Sequence, residues 1–120
     1  MNEYGLKKEL DQFCGTTQYH RSTFGTLNVT DGVHYLREKA NCYWLIDIVE
    51  SYNMTDRRVK EAEFQIWGLD VREDRSALIE CREYDGKDPL ASQEIEYTDF
   101  PLDGIKLYCI DRVVLLPGEY

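Results

Sequence analysis

Two histidines, four cysteines and 23 acids are the groups in this 120-residue chain with chemistry to offer. General acid–base or nucleophilic catalysis needs an imidazole beside a hydroxyl, thiol or carboxylate partner. His20 stands next to Arg21 in a Thr-rich stretch and His34 lies in Gly32-Val33-His34-Tyr35, with no plausible local nucleophile for either. We expect both to be ordinary surface or edge residues. The chain has no G-x-S-x-G, P-loop, G-x-G-x-x-G or H-E-x-x-H pattern, so no signature favours an enzyme and no cofactor is implied. Cys14, Cys42, Cys81 and Cys109 are spaced 28, 39 and 28 apart, without the local clustering that a zinc site uses. With apolar neighbours and no export signal between Met1 and Cys14, they are expected to be reduced core thiols. Glu94 and Glu96 lack the acidic loop that organises calcium, and no metal site is expected.

The carboxylates offer a different chemistry, that of recognition. The formal charge is −9, and it is uneven: residues 1–60 hold eight acids and eight bases, whereas residues 61–120 hold 15 acids and six bases. Within 83–103, Glu83, Asp85, Asp88, Glu94, Glu96, Asp99 and Asp103 face Lys87 alone. Such a surface repels nucleic acid and anionic lipid and attracts basic partners. In a strand, Glu94 and Glu96 would share one face and Ile95 and Tyr97 the other, so turn and strand acids can form a row of charge resembling a phosphate backbone. Tyr97 and Phe100 are of the type that anchors interfaces, although aromatics in a turn more often pack on the core.

Asp47 is weighed separately, because it lies inside Tyr43-Trp44-Leu45-Ile46-Asp47-Ile48-Val49. An acid on so apolar a segment must be paired, hydrogen-bonded or turned to water. We expect it to share an exposed strip with Glu50 and Ser51. The alternative is a small-ligand or enzymatic pocket between helices and sheet, lined by Trp44, Asp47, Trp67 and Tyr108.

These residues need elements to carry them. Apolar spacing predicts helices over 3–14, from Thr30-Asp31 to about Ala40, and over 42–53, the last being the most buried. Asn41 can end the second helix by adopting the left-handed conformation. Residues 16–30 read as a loop with short extended pieces, and 54–61 as a solvated connection. Alternation then predicts strands over 63–71, 76–84, 92–98, 105–110 and 113–116, with turns at Asp85-Gly86, Asp103-Gly104 and Asp111-Arg112. The expected fold is α+β: two or three N-terminal helices on one face of a four- to five-stranded, mostly antiparallel sheet. We expect one domain over 1–120, with 1–61 mainly helical and 62–120 mainly strand. With 42% apolar residues the chain is not disordered, and no apolar run nears the ~18 residues that span a bilayer.

Thr30-Asp31-Gly32-Val33-His34-Tyr35-Leu36, Tyr43-Trp44-Leu45-Ile46-Asp47-Ile48 and Phe64-Gln65-Ile66-Trp67 resemble a family of small uncharacterised proteins. So do Tyr97 to Tyr108 (YTDFPLDGIKLY) and Leu115 to Tyr120. The family is associated with bacteria, cyanobacteria among them, and with phage and plasmid genes. The resemblance covers most of residues 30–120 and little of 1–29. It implies a bacterial, single-domain cytoplasmic protein, and it carries over no activity, cofactor or site residue. From the residues themselves we expect a non-enzymatic acidic binding protein that docks on a basic protein partner. No direct nucleic-acid or membrane contact is expected, and a homodimer through an uncovered sheet face is compatible with this.

Overall fold

A computed structural model describes residues 3–120 of the protein. Met1 and Asn2, where the segment expected to lack an export signal begins, lie outside the described residues. Helix α1 spans Glu3–Leu10, followed by two-residue strands β1 (His20–Arg21) and β2 (Asn28–Val29). Then come helices α2 (Asp31–Lys39), α3 (Tyr43–Thr55) and α4 (Arg57–Glu61). Five strands complete the chain: β3 (Phe64–Val71), β4 (Ala77–Arg82), β5 (Ala91–Ile95), β6 (Gly104–Ile110) and β7 (Val113–Leu115). A 3₁₀ turn follows at Pro117–Glu119. The fold is thus mixed α+β, with four helices among the described residues.

The sheet has seven strands in the order β1-β2-β7-β6-β3-β4-β5. All neighbours are antiparallel except β2 and β7, which run parallel with Asn28 opposite Val113 and Val29 opposite Val114. The expectation of four or five strands therefore falls short by β1 and β2, which lie in the supposed loop of the helical half. Two residues are too few to show alternation. These strands owe their form to their neighbours, Ser22 N–H bonding Leu27 C=O and Thr30 N–H bonding Val114 C=O.

The solvated connection at 54–61 is also corrected, because it contains α4. Asp56 accepts from the Arg58 and Val59 N–H groups and so starts the turn that buries Val59 completely. Thr30 caps α2 through a bond from Val33 N–H. Asn41 ends the helix with φ +50°, a conformation open to asparagine because its short side chain is tolerated there.

In β3, Gln65, Trp67 and Leu69 are buried while Phe64, Ile66 and Gly68 are half-exposed. The register puts Trp67 opposite Cys81 and Leu107, so these three share the buried face. They join Leu6 and Leu10 of α1, Val33 and Leu36 of α2, and Leu45, Ile46 and Val49 of α3 in one core. The other face presents Ile66, Glu80, Arg82, Lys106 and Tyr108. At one rim Gly104 sits so close to β3 that a Cβ would lie 2.4 Å from the Leu69 carbonyl oxygen, which leaves room only for glycine.

Candidate functional site

Strand β5 is one margin of the sheet, hydrogen-bonded to β4 and, among the described residues, to no strand on its other side. Ile79 faces Gln93 and Ala77 faces Ile95, and both β4 residues are buried. Gln93 and Ile95 therefore lie toward the helices, and Ser92 and Glu94 toward the open face. Beside this margin runs a groove of about 470 Å³ whose apolar wall is Trp44 and Ile48 of α3, with Ile95 and Tyr97 opposite. Trp44 meets the buried Phe100 ring edge-on at 6.5 Å, and Tyr52 O–H bonds the Gln93 side-chain oxygen at 3.2 Å. These contacts fix the two walls against each other.

The segment after β5 is held by Arg75, in the β3–β4 turn with φ +69°. Its guanidinium donates to the Thr98 and Phe100 carbonyls, while Thr98 N–H donates to the Arg75 carbonyl. Thr98 and Phe100 are thereby drawn inward and their neighbours turned out: Tyr97 is 70% exposed, and Asp99 lines the groove. Of the two aromatics singled out in the sequence, Phe100 is core and Tyr97 is surface.

All seven acids of the 83–103 stretch are exposed. They do not form a single row. Glu83, Asp85 and Asp88 lie in the turn before β5; Glu96, Asp99 and Asp103 follow it, because β5 ends at Ile95 rather than at residue 98. Only Glu94 is on the strand, where both its oxygens accept from Arg72, at 2.8 and 3.0 Å. The Arg72 bonds hold its carboxyl below the usual range. Asp85 lies 3.6 Å from the Lys106 ammonium. Among the described residues, the other five acids have no ion-pair partner. No base lines the groove.

The residues of the alternative pocket do not converge. Trp67 is 2% exposed within the core, and Tyr108 is on the opposite face, where its ring meets Phe64 at 5.0 Å. Asp47 accepts from Thr23 Oγ1, away from both. Trp44 alone of the four lines the groove.

Glu50 overturns the expectation of an exposed strip with Asp47, since it is fully buried. Ser22 and Thr26 hydroxyls and the Phe24 and Thr26 N–H groups all donate to it. Burial alone would raise its pKa, but the four donors outweigh that and hold the carboxyl below its ordinary value. With Asp47 it clasps residues 22–26 onto α3. Helical spacing around Glu50 carries no sign of this, because the donors lie 24 to 28 residues away.

The histidines are likewise more than surface residues. Their rings stack at 4.1 Å, each about three-quarters buried, with His20 Nε2 2.9 Å from Asp31 and His34 Nε2 2.8 Å from Glu38. Arg37 Nε donates to His34 Nδ1, so that nitrogen carries no proton. Burial, then the neighbouring His20 and Arg37 charges, lowers the His34 pKa. Among the described residues no hydroxyl or thiol nucleophile bonds either ring, and the cluster joins β1 to α2. Cys42, Cys81 and Cys109 are buried, and burial pushes their thiols up to about 12, which leaves them unreactive. Cys14 departs from expectation and is exposed, since α1 ends at Leu10.

Among the described residues no helix is long and apolar enough to cross a membrane, and no group of three or more His, Cys, Asp or Glu is placed to hold a metal ion. No curated protein and no solved structure matches the chain. A family model does match residues 5–120, including the stretch before residue 30 where the motif resemblance is weak, and the chain belongs to that family of unknown function, DUF6876.

Proposed function

We propose that this protein is a non-enzymatic binding module that docks on a basic protein partner through the acidic surface around β5. The observation that carries this is that, among the described residues, Glu83 and Asp88 before β5 and Glu96 and Asp99 after it have no ion-pair partner at an uncovered sheet margin; Asp103, also unpaired, stands apart beside the end of β3. Charge held apart from its neighbours in this way steers a cationic partner and repels nucleic acid and anionic lipid. The motif resemblance supports placing the module in the bacterial cytoplasm, in the service of a mobile element, where the partner would itself be a basic, nucleic-acid-binding protein.

The test is affinity capture from a bacterial lysate with the native chain and with a variant carrying Glu83→Gln, Asp88→Asn, Glu96→Gln, Asp99→Asn and Asp103→Asn. The native chain should retain basic proteins at low salt, release them as salt rises, and lose them in the variant. Retention of the same proteins by the variant, or of no basic protein by the native chain, would refute the proposal.

A further inference from the structure

The margin of a sheet is a template for another strand, and proteins commonly cover it or blunt it. β5 is not covered, and the Trp44–Ile48 wall stands open beside it. Resting on the acidic docking reading, we propose that the occupant is an extended basic segment of the partner that adds to β5 as an eighth strand.

The geometry prescribes the segment's pattern. Side chains alternate across a strand, so every second residue of the newcomer would lie in line with Gln93 and Ile95, over the apolar groove. The residues between would lie in line with Ser92 and Glu94 on the open face. Five residues of β5 give a template about 13 Å long from first to last Cα. Glu83 and Asp88 lie beyond its start, and Glu96 and Asp99 beyond its end. A segment of five to seven residues that alternates apolar with basic side chains and ends in bases satisfies the groove and both acidic flanks.

The same charges exclude the simplest competitor. A second copy pairing through its own β5 would bring these acidic flanks against one another, and like charges across a strand pair destabilise it. Tyr97, largely exposed at the groove mouth, would close over the added strand's apolar side chains.

The test uses the full chain and a seven-residue peptide alternating lysine with valine and leucine, a glutamate counterpart, and two versions of the lysine peptide N-methylated at alternate amides. Methylation in one register blocks the amides that would pair with β5; in the other it blocks those facing water. Binding is followed by amide shifts in the protein's NMR spectrum and by titration. We expect the lysine peptide to shift the amides of residues 91–95 and the Trp44 indole. One methylated register should weaken binding about tenfold or more while the other is tolerated. Tyr97→Ala, which leaves the core untouched, should weaken it about threefold.

If both methylated peptides bind as well as the parent, and Glu96→Gln with Asp99→Asn still weakens all three, strand addition is overturned while acidic docking stands. If the glutamate peptide binds as well as the lysine peptide, the acidic docking reading fails too. Absence of lysine-peptide binding up to about 1 mM, the weak end of specific association, overturns strand addition.

Discussion

Glu50 is a carboxylate that α3 carries into the interior, where water does not reach it. At helical spacing it falls beside Asp47 and Ser51, a polar strip that looks solvated. In the fold it is the buried hub of four donors from residues 22–26. Glu50→Ala would strip those donors of their acceptor, the buried Ser22 hydroxyl among them, and should destabilise by about 3 kcal/mol, measured by urea unfolding. The lowered pKa values give stability a pH dependence of definite sign. His34, below 6.5 in the folded chain, is protonated more readily when unfolded, so stability falls as pH drops below 6.5. Glu50 and Asp31 are held below 4.5 and 3.8; their contributions are complete above those values and are lost on further acidification. Unfolding curves from pH 8 to 3 should show both declines, and His34→Gln should remove the upper one. The two tryptophans rank differently from what their flanks suggest: Trp44 has the more apolar helix, but Trp67 has the burial. Trp67→Ala should cost about 3–5 kcal/mol, and Trp44→Ala about half of that, because its ring is partly in water already. Equal costs would place both rings in comparable surroundings. The acidic flanks themselves were legible, since charge is a property of residue type; how they divide around β5 was not, because that depends on where the strand stops.

At the scale of elements, the sequence speaks where an element is long enough to show a period. α2, α3 and β3 each carry their own apolar pattern and fall close to where it puts them. β1, β2 and α4 have two, two and five residues, and exist because something distant or adjacent pins them. For α4 the pin is the Asp56 carboxylate at its first N–H groups. Asp56→Ala should cost about 1 kcal/mol, and the loss should be visible as faster hydrogen exchange at the Arg58 and Val59 amides. Substitution by serine should restore most of it, which separates the cap from a general effect of charge. The hairpin between β6 and β7 is built on Asp111 and Arg112 with φ +51° and +65°, a turn that asparagine and glycine occupy with less strain. The polar pair marks the turn in the sequence but does not reveal its left-handed backbone, because aspartate tolerates that conformation whereas arginine does not favour it. Arg112 has its own reason to be there: its carbonyl accepts from Asn28 N–H and its guanidinium donates to the Thr26 carbonyl, tying the turn to β2.

Across the whole molecule, the change from helical to alternating period near residue 62 revealed the α+β class, and what it concealed was closure. β7 does not only finish the meander; it receives β2 on its far side, and Glu119 accepts from Thr30 Oγ1 and Gly32 N–H at the start of α2. Pairings between residues 85 or more apart leave no local trace. Glu119→Ala should cost about 2 kcal/mol for the lost charge-assisted bonds, and a chain that unfolds with unchanged midpoint would show the tie to be idle. The tie also orders events in time. Translation proceeds at about 5–20 residues per second, so Asn28 waits roughly 4–17 s for Val113 to be made. Throughout that interval β2 has no parallel neighbour and the stretch from His20 to Thr30 has no finished sheet to join. A nascent chain of this protein therefore exposes that stretch to the ribosome's surroundings until Val113 and Val114 have been made, and a protease or chaperone meeting it there would find extended backbone in want of a partner.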